Sequence, residues 1–256
     1  MQFSVISFNI RFGLADDGAN GWTCRKDAVA ALFDKYRPNF VGVQELNRFQ
    51  TDFLLEILPE YDCVGIYEPA PDYWQDSAIF YRKTIECTGS QHFFLSETPS
   101  VRSRSWGSKW PRQCTMGRFT IGSNDLVCIN THFDFEEPAQ FNSARLIWHK
   151  IQAECPDIPA VLMGDFNAEP QSKAYRWLRG KLDEGTSFTR PDFEETFKKP
   201  YPGSYHRFTG RPVAGLIDWI LYRGRLRPKE PFVIEDSFDG LYPSDHFPVM
   251  ACFEFV

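Results

Sequence analysis

Gly164-Asp165-Phe166-Asn167 follows the apolar run 159–163, so a carboxylate and a carboxamide arrive together at the end of a buried strand. Alternation along a strand predicts that Asp165 and Asn167 share a face while Phe166 packs away from it. An acceptor and a donor so placed suit holding a water against a phosphate oxygen. Five other apolar runs carry polar residues of the same chemical kind: Asn9 after 3–8, Glu45 after 40–44, His132 after 126–131, Asp218 within 216–221, and Ser244-Asp245-His246 before 247–252.

Taken singly, most have a plain structural explanation. Asn9 suits a turn, Glu45 the start of a helix, and Asp165 with Asn167 a turn that caps the helix after Glu169-Pro170. His132 alone reads as a hydrogen-bonded structural histidine, and Ser244-Asp245 as a cap. Asp218 resists such a reading, because a carboxylate inside an apolar strand costs roughly several kcal/mol unless it is paired. His246 is its natural partner. Six such positions at strand ends read together as one site.

The elements that must position them follow from periodicity. Residues 2–9 alternate as a half-buried strand, and 25–36 place Ala28, Val29, Leu32, Phe33 and Tyr36 at helical spacing. A short strand at 40–44 precedes a helix at 49–58 that ends before Pro59. Strands are then expected at 61–66, 77–81, 85–93, 114–121 and 126–131, which implies hairpins and antiparallel pairing. A helix at 139–155 leads into the strand before Gly164, a short helix falls near 172–178, and strands close the chain at 216–222, 232–238 and 249–256. Helices after the first strands of each half predict two sheets packed face to face with helices outside. Residues 191–212, rich in Pro, Gly and aromatics, read as a long loop beside the site.

At 256 residues the chain suits one domain with a sizeable core. Hydrophobic content of 43% and an aromatic share of 16% exclude a disordered chain. No window is apolar for the length a bilayer needs, and residues 1–12 lack a basic start and a cleavage signature, so a cytoplasmic location is expected. Seven cysteines, an odd number without a Cys-x-x-Cys pair, read as reduced thiols. A net charge of −6 disfavours general attraction to a polyphosphate backbone, so local cations must bind any nucleic acid.

Ser7-Phe8-Asn9-Ile10, Gln44-Glu45, Asn130-Thr131-His132, Gly164-Asp165-Phe166-Asn167-Ala168, Ile217-Asp218-Trp219-Ile220 and Ser244-Asp245-His246-Phe247-Pro248-Val249 stand in this order along the chain. In that set the chain resembles the endonuclease/exonuclease/phosphatase superfamily from residue 3 to its C-terminus, and its pattern is nearest the bacterial and nocturnin-like branches. The resemblance implies a DNase I-like four-layer α/β/β/α sandwich, two mixed, mostly antiparallel sheets flanked by helices, with the site at one end of the paired sheets. It implies a hydrolase of phosphoesters dependent on Mg2+, with Mn2+ as a substitute. Glu45 resembles the principal metal ligand, with Asn9 beside it and Asp245 near the metal. Asp165 resembles the residue that orients or activates the attacking water, Asn167 and His132 resemble phosphate contacts, and His246 with Asp218 resembles the pair at the scissile phosphate.

Chemical logic supports the metal independently. Enzymes accelerate phosphate-ester hydrolysis by up to ~10^21-fold, whereas one acid–base group supplies about 10^2–10^4. A cation must share the charge, and oxygen ligands suit hard Mg2+ or Mn2+.

Residues 101–112 hold four cations and two Trp without an acid, a composition suited to phosphates and stacked bases. Arg112 resembles an arginine of the nocturnin-like and bacterial branches and is the expected extra phosphate contact. Phe135 replaces a histidine of the bacterial pattern, and Tyr73-Trp74-Gln75-Asp76-Ser77 replaces its Gly-Glu segment. A phosphodiesterase acting on nucleic acid or a nucleotide is the favoured activity, with small phosphorylated metabolites or lipid headgroups as the alternative; no protein partner is indicated. A non-catalytic phosphate-binding module would lack some of these residues. A serine hydrolase would need a Gly-x-Ser-x-Gly elbow, which the sequence lacks.

Overall fold

The structure is a computed structural model and describes residues 1–182, 189–229 and 231–256. In chain order the elements are β1 (Gln2–Asn9), a 3-10 turn (Gly18–Asn20), α1 (Trp22–Tyr36), β2 (Phe40–Leu46), α2 (Arg48–Ile57), β3 (Tyr61–Val64), β4 (Asp76–Arg82) and β5 (Glu86–Phe94). They continue with β6 (Gln113–Ile121), β7 (Asn124–His132), α3 (Glu137–Glu154), β8 (Ala160–Asp165), α4 (Lys173–Leu178), β9 (Glu194–Glu195), β10 (Asp218–Arg223), β11 (Leu226–Pro228), β12 (Phe232–Val233) and β13 (Val249–Phe255).

Two sheets form. One runs β11-β13-β1-β2-β4-β3, with β12 also on β13, and the other runs β5-β6-β7-β8-β10-β9. The pairs β1–β2 and β7–β8 are parallel and the other pairs antiparallel. Alternation along β1 explains the layering. Phe3 and Val5 join the core between the sheets, whereas Ile6 and Phe8 pack outward with Val29, Leu32 and Phe33 of α1 and Leu54 of α2. On the second sheet, Phe141, Ala144, Ile147, Trp148 and Ile151 of α3 bury the helix face. Each large apolar side chain so buried contributes about 1.5–3 kcal/mol. The result is the four-layer α/β/β/α sandwich.

The space between the sheets changes character along its length. At one end Phe3, Phe40, Phe119 and Tyr81 interlock edge-on or tilted. Midway, the buried Asn130 of β7 crosses to the other sheet, donating to the carbonyls of Val43 at 2.9 Å and Ala78 at 2.7 Å. Gln44 Nε2 donates to Asn130 Oδ1 at 2.6 Å. Unpaired, these amides would each cost about 1–3 kcal/mol, so the network fixes the slide of one sheet on the other. Beyond it lie Asn9, His132 and Asp165.

Two strand expectations are corrected by the structure, and the loop expected over 191–212 is found there. The strand expected over 232–238 is confined to Phe232–Val233, because Asp236 instead accepts bonds from Lys35 and Tyr36 of α1. The strand at 61–66 stops at Val64, before Gly65 turns to φ 92°. The loop 191–212 carries the short strand β9 and lies against the site, where Tyr205 bridges to His246. The described cysteines are all free thiols, and among the described residues no helix is long and apolar enough to cross a membrane.

Candidate active site

Strand register brings three of the site residues to one level. His132 ends β7, Asp165 ends β8 beside it, and Asp218 opens β10 opposite Asp165. Gly164 permits this: a Cβ there would lie 2.1 Å from the Thr131 carbonyl oxygen. Below them Phe166 stacks on Trp219 with centroids 4.2 Å apart and meets Phe133 edge-on, so an aromatic floor holds the strand ends rigid.

Asn167 reaches the site by a route other than strand alternation. The strand ends at Asp165, and a turn with Asn167 at φ 48° brings its amide back, with its N–H donating to Asp165 Oδ1 at 2.9 Å. Asn tolerates this left-handed conformation better than most residues. Glu45 likewise lies inside β2, where the pairing with β4 shifts register between Val43 and Leu46 and Glu45 adopts φ 60°. This bulge re-aims its carboxylate toward the site.

The first sheet meets the second through Asn9. Its Nδ2 donates to Glu45 Oε1 at 3.1 Å and to Asp165 Oδ2 at 2.9 Å. Ser244 Oγ donates to the Asn9 carbonyl at 2.6 Å, which ties the Ser244-Asp245-His246 loop to the end of β1. His246 Nδ1 lies 2.9 Å from Asp218 Oδ2, and its Nε2 is 3.9 Å from Asp165 Oδ2. Asp218 is further held by Ser204, whose Oγ accepts the N–H of Ile217 and of Asp218. Glu45, Asp165 and His246 are therefore gathered in one cluster, linked through Asn9 and Asp165.

The charges are strongly perturbed. Burial alone pulls the His246 imidazole down, but Asp218 and Asp165, and then Asp245, together raise it well above 6.5, which favours its charged form. Burial and the charge of Asp218 push Asp165 up to about 7. His132 is held well below 6.5 by burial, Arg112 and His246, and stays neutral. Both ring nitrogens of His132 face donors, Arg112 Nη1 at 3.1 Å and Asn167 Nδ2 at 3.0 Å. A neutral imidazole accepts at only one nitrogen, so one of these donors is left for an incoming oxygen. Arg112, with its side chain 11% exposed, also has Nε without a hydrogen-bond partner and 3.7 Å from Asp134. An enclosed guanidinium with spare donors is a ready anion contact.

Two groups of side chains could hold a cation. Asp165, Asp218 and His246 place ligand-type atoms within 4.8 Å of one another. In this trio His246 Nδ1 is already bonded to Asp218 Oδ2 at 2.9 Å, and the two carboxylates favour the charged imidazole, which would compete with a cation there. Glu45, Asn9 and Asp245 instead offer only oxygens toward a cation, the donor set that suits Mg2+ or Mn2+. Glu45 Oε2 accepts from the Phe12 N–H at 2.8 Å and Asn9 Oδ1 from the Arg11 N–H at 3.0 Å, which orients both while lone pairs remain.

Several contributors were not legible in the sequence. Arg11 forks onto Asp17 and approaches Asp245 at 3.7 Å. Arg25 of α1 is wholly buried and donates to the carbonyls of Ile10, Arg11, Asn20 and Pro243, binding the ends of β1 and of the Ser244 loop together. Burial lowers it to about 10. Gln140 of α3 donates to the carbonyls of Asp134, Phe135 and Asn167. Arg25 interrupts the apolar face of its helix, which is the one trace the sequence holds of its role.

Paired sheets with a buried Asp-His-Asp chain and a carboxylate-lined edge at one end define a phosphoester hydrolase of the DNase I-like fold. The chain belongs to the Endonuclease/Exonuclease/phosphatase family, whose profile it matches over residues 6–105 and 107–246. It is similar to the endonuclease/exonuclease/phosphatase from Bacteroides vulgatus, with 29% identity, full coverage of both chains and a TM-score of 0.89. It is also similar to the mannosyl-6-phosphatase of Bacteroides thetaiotaomicron VPI-5482, at 28% identity, with coverage of 99% and 100% and a TM-score of 0.87. An uncharacterized protein of Acanthamoeba polyphaga mimivirus, L388, is 28% identical over 91% of this chain and 92% of its own. Enzymes of this family generally use divalent metals.

Proposed function

We propose that residues 1–256 act as one domain that hydrolyses a P–O ester bond with Mg2+, or Mn2+ in its place, held by Glu45, Asn9 and Asp245. The observation that carries this reading is the contact of Asp165 with both sheets at once: Asn9 at 2.9 Å on one side and His132 at 3.4 Å on the other. A divalent cation there supplies Lewis-acid neutralisation of charge on the phosphoryl oxygens.

The remaining steps belong to the protein. Arg112, His132 and Asn167 hold non-bridging phosphate oxygens. Asp165, poised near neutrality, orients the attacking water and takes its proton. His246, held charged by Asp218, offers Nε2–H to the phosphoryl group as negative charge builds. Burial of the trio strengthens each of these interactions by excluding water.

Two substrate readings have specific support. The cations and tryptophans of residues 101–112 favour a nucleotide or nucleic-acid phosphodiester. The net charge of −6 and the likeness to a mannosyl-6-phosphatase favour a small phosphorylated sugar. A panel of DNA, RNA, nucleotides and sugar phosphates with and without Mg2+ tests the proposal, using Asp165→Asn as control. Turnover that survives EDTA, or that Asp165→Asn leaves intact, overturns it.

A further inference from the structure

Phe135 and Trp110 stand out among the exposed side chains: they are large, apolar and 62% and 51% exposed, yet both are anchored on the residues that position Arg112 and Asn167. Buried Asp134 is the anchor. Its Oδ2 accepts from Ser108 Oγ at 3.0 Å and from the N–H groups of Lys109 at 3.0 Å and Trp110 at 3.1 Å. Its Oδ1 accepts the Phe135 N–H at 2.9 Å. The Phe135 carbonyl is bound by Gln140, the same side chain that binds the Asn167 carbonyl. Phe135 is thus fixed through both its N–H and its C=O to groups that line the site.

A single exposed apolar residue needs no explanation by itself, but the backbone of this one is tied on both sides to side chains that line the site. The Phe135 ring lies 6.0 Å from the Arg112 guanidinium carbon, and that guanidinium lies 3.1 Å from His132. Lys109 Nζ lies 5.5 Å over the Trp110 ring, adding a cation to the same rim.

We infer that Phe135, with Trp110 anchored on the same Asp134 carboxylate, forms a stacking subsite for a ring attached to the scissile phosphate. The phosphate occupies Arg112 and His132, and the ring sits one short ester linkage away, on the face of Phe135. A nucleobase or the CH-rich face of a pyranose supplies the same chemistry, an apolar face next to a phosphate; an acyclic ester has none to offer. This assignment rests on the hydrolase reading above and deepens it to a ring-bearing substrate.

The test measures kcat and KM with Mg2+ for wild type, Phe135→Ala, Trp110→Ala and Phe135→Tyr. The substrates are thymidine 5′-(p-nitrophenyl phosphate), mannose 6-phosphate and the acyclic glycerol 3-phosphate. Phe135→Ala is expected to lose at least about tenfold more kcat/KM on the ring substrate that the wild type prefers than on glycerol 3-phosphate. The loss falls on KM, and Phe135→Tyr restores it. Preference for the thymidine ester or for mannose 6-phosphate identifies which ring is used. Equal losses on cyclic and acyclic esters, or no loss, overturn the subsite while the hydrolase reading stands. Failure of the wild type to cleave either ring substrate while it cleaves other phosphoesters of the panel above overturns the subsite alone, and failure on the whole panel with Mg2+ overturns both.

Discussion

Asp218→Asn isolates the charge that holds His246 protonated. The amide keeps the volume of the carboxylate and can still accept the Nδ1–H, so geometry is largely retained while one buried charge is lost. Two unit charges at the observed 2.9 Å attract by about 6 kcal/mol at an effective dielectric constant of about 20. Desolvation offsets much of this, and a buried pair that loses one partner typically costs about 3–5 kcal/mol. The pH dependence has a definite sign. His246 titrates above its unfolded value, so its contribution is fully present below pH 6.5 and is lost as pH rises through the raised folded value. Urea unfolding followed by circular dichroism should therefore show the variant about 3–5 kcal/mol less stable near about pH 6, with the gap narrowing as pH rises through the raised value of His246. Turnover at neutral pH should fall by about 10^2–10^4-fold, the usual worth of one acid–base group. A gap independent of pH, or turnover within threefold of wild type, would refute the pairing argument.

Mg2+ in hundredfold excess over its Kd should stabilise the fold by about 2.7 kcal/mol, read by thermal unfolding. At a constant Mg2+ concentration the gain should grow as pH rises from about 4 to about 7. Asp165 and Asp245 are both raised, so the metal-free fold loses stability as they ionise in that direction, and the cation relieves their repulsion. Glu45→Gln should raise the Mg2+ concentration for half-maximal activity at least about tenfold, the lower end for losing a metal-site partner. Arg25→Met leaves the buried carbonyls of Ile10 and Pro243 without their donor and removes one from the half-buried carbonyls of Asn20 and Arg11, and should cost at least about 3 kcal/mol in urea unfolding, with Arg25→Lys recovering part of it.

Strand ends were legible because burial and alternation leave a strong mark: Asn9, His132 and Asp165 each close an apolar run, and Asp218, read within one, opens β10; all lie within the converged cluster. The pairing of Asp218 with His246 could be anticipated because an isolated carboxylate in a strand is too costly to leave alone. Backbone irregularities were not legible. The bulge at Glu45 and the left-handed turn at Asn167 depend on cross-strand register, which no local pattern encodes. Arg25, Gln140 and Asp134 were hidden for another reason: their partners are mostly backbone groups distant in the chain, and a carbonyl looks the same whichever residue bears it.

The Asn130–Gln44 amide network has a practical corollary for how this enzyme fails. Asn9 and Glu45 belong to one sheet and His132, Asp165 and Asp218 to the other, so a slip of the two slabs by a single ångström or so, on the order of a rotamer adjustment, would scatter the reacting groups while every ladder stayed zipped. Catalytic output in rising denaturant should consequently vanish ahead of far-ultraviolet ellipticity, making turnover a more sensitive gauge of slab alignment than any measure of strand content.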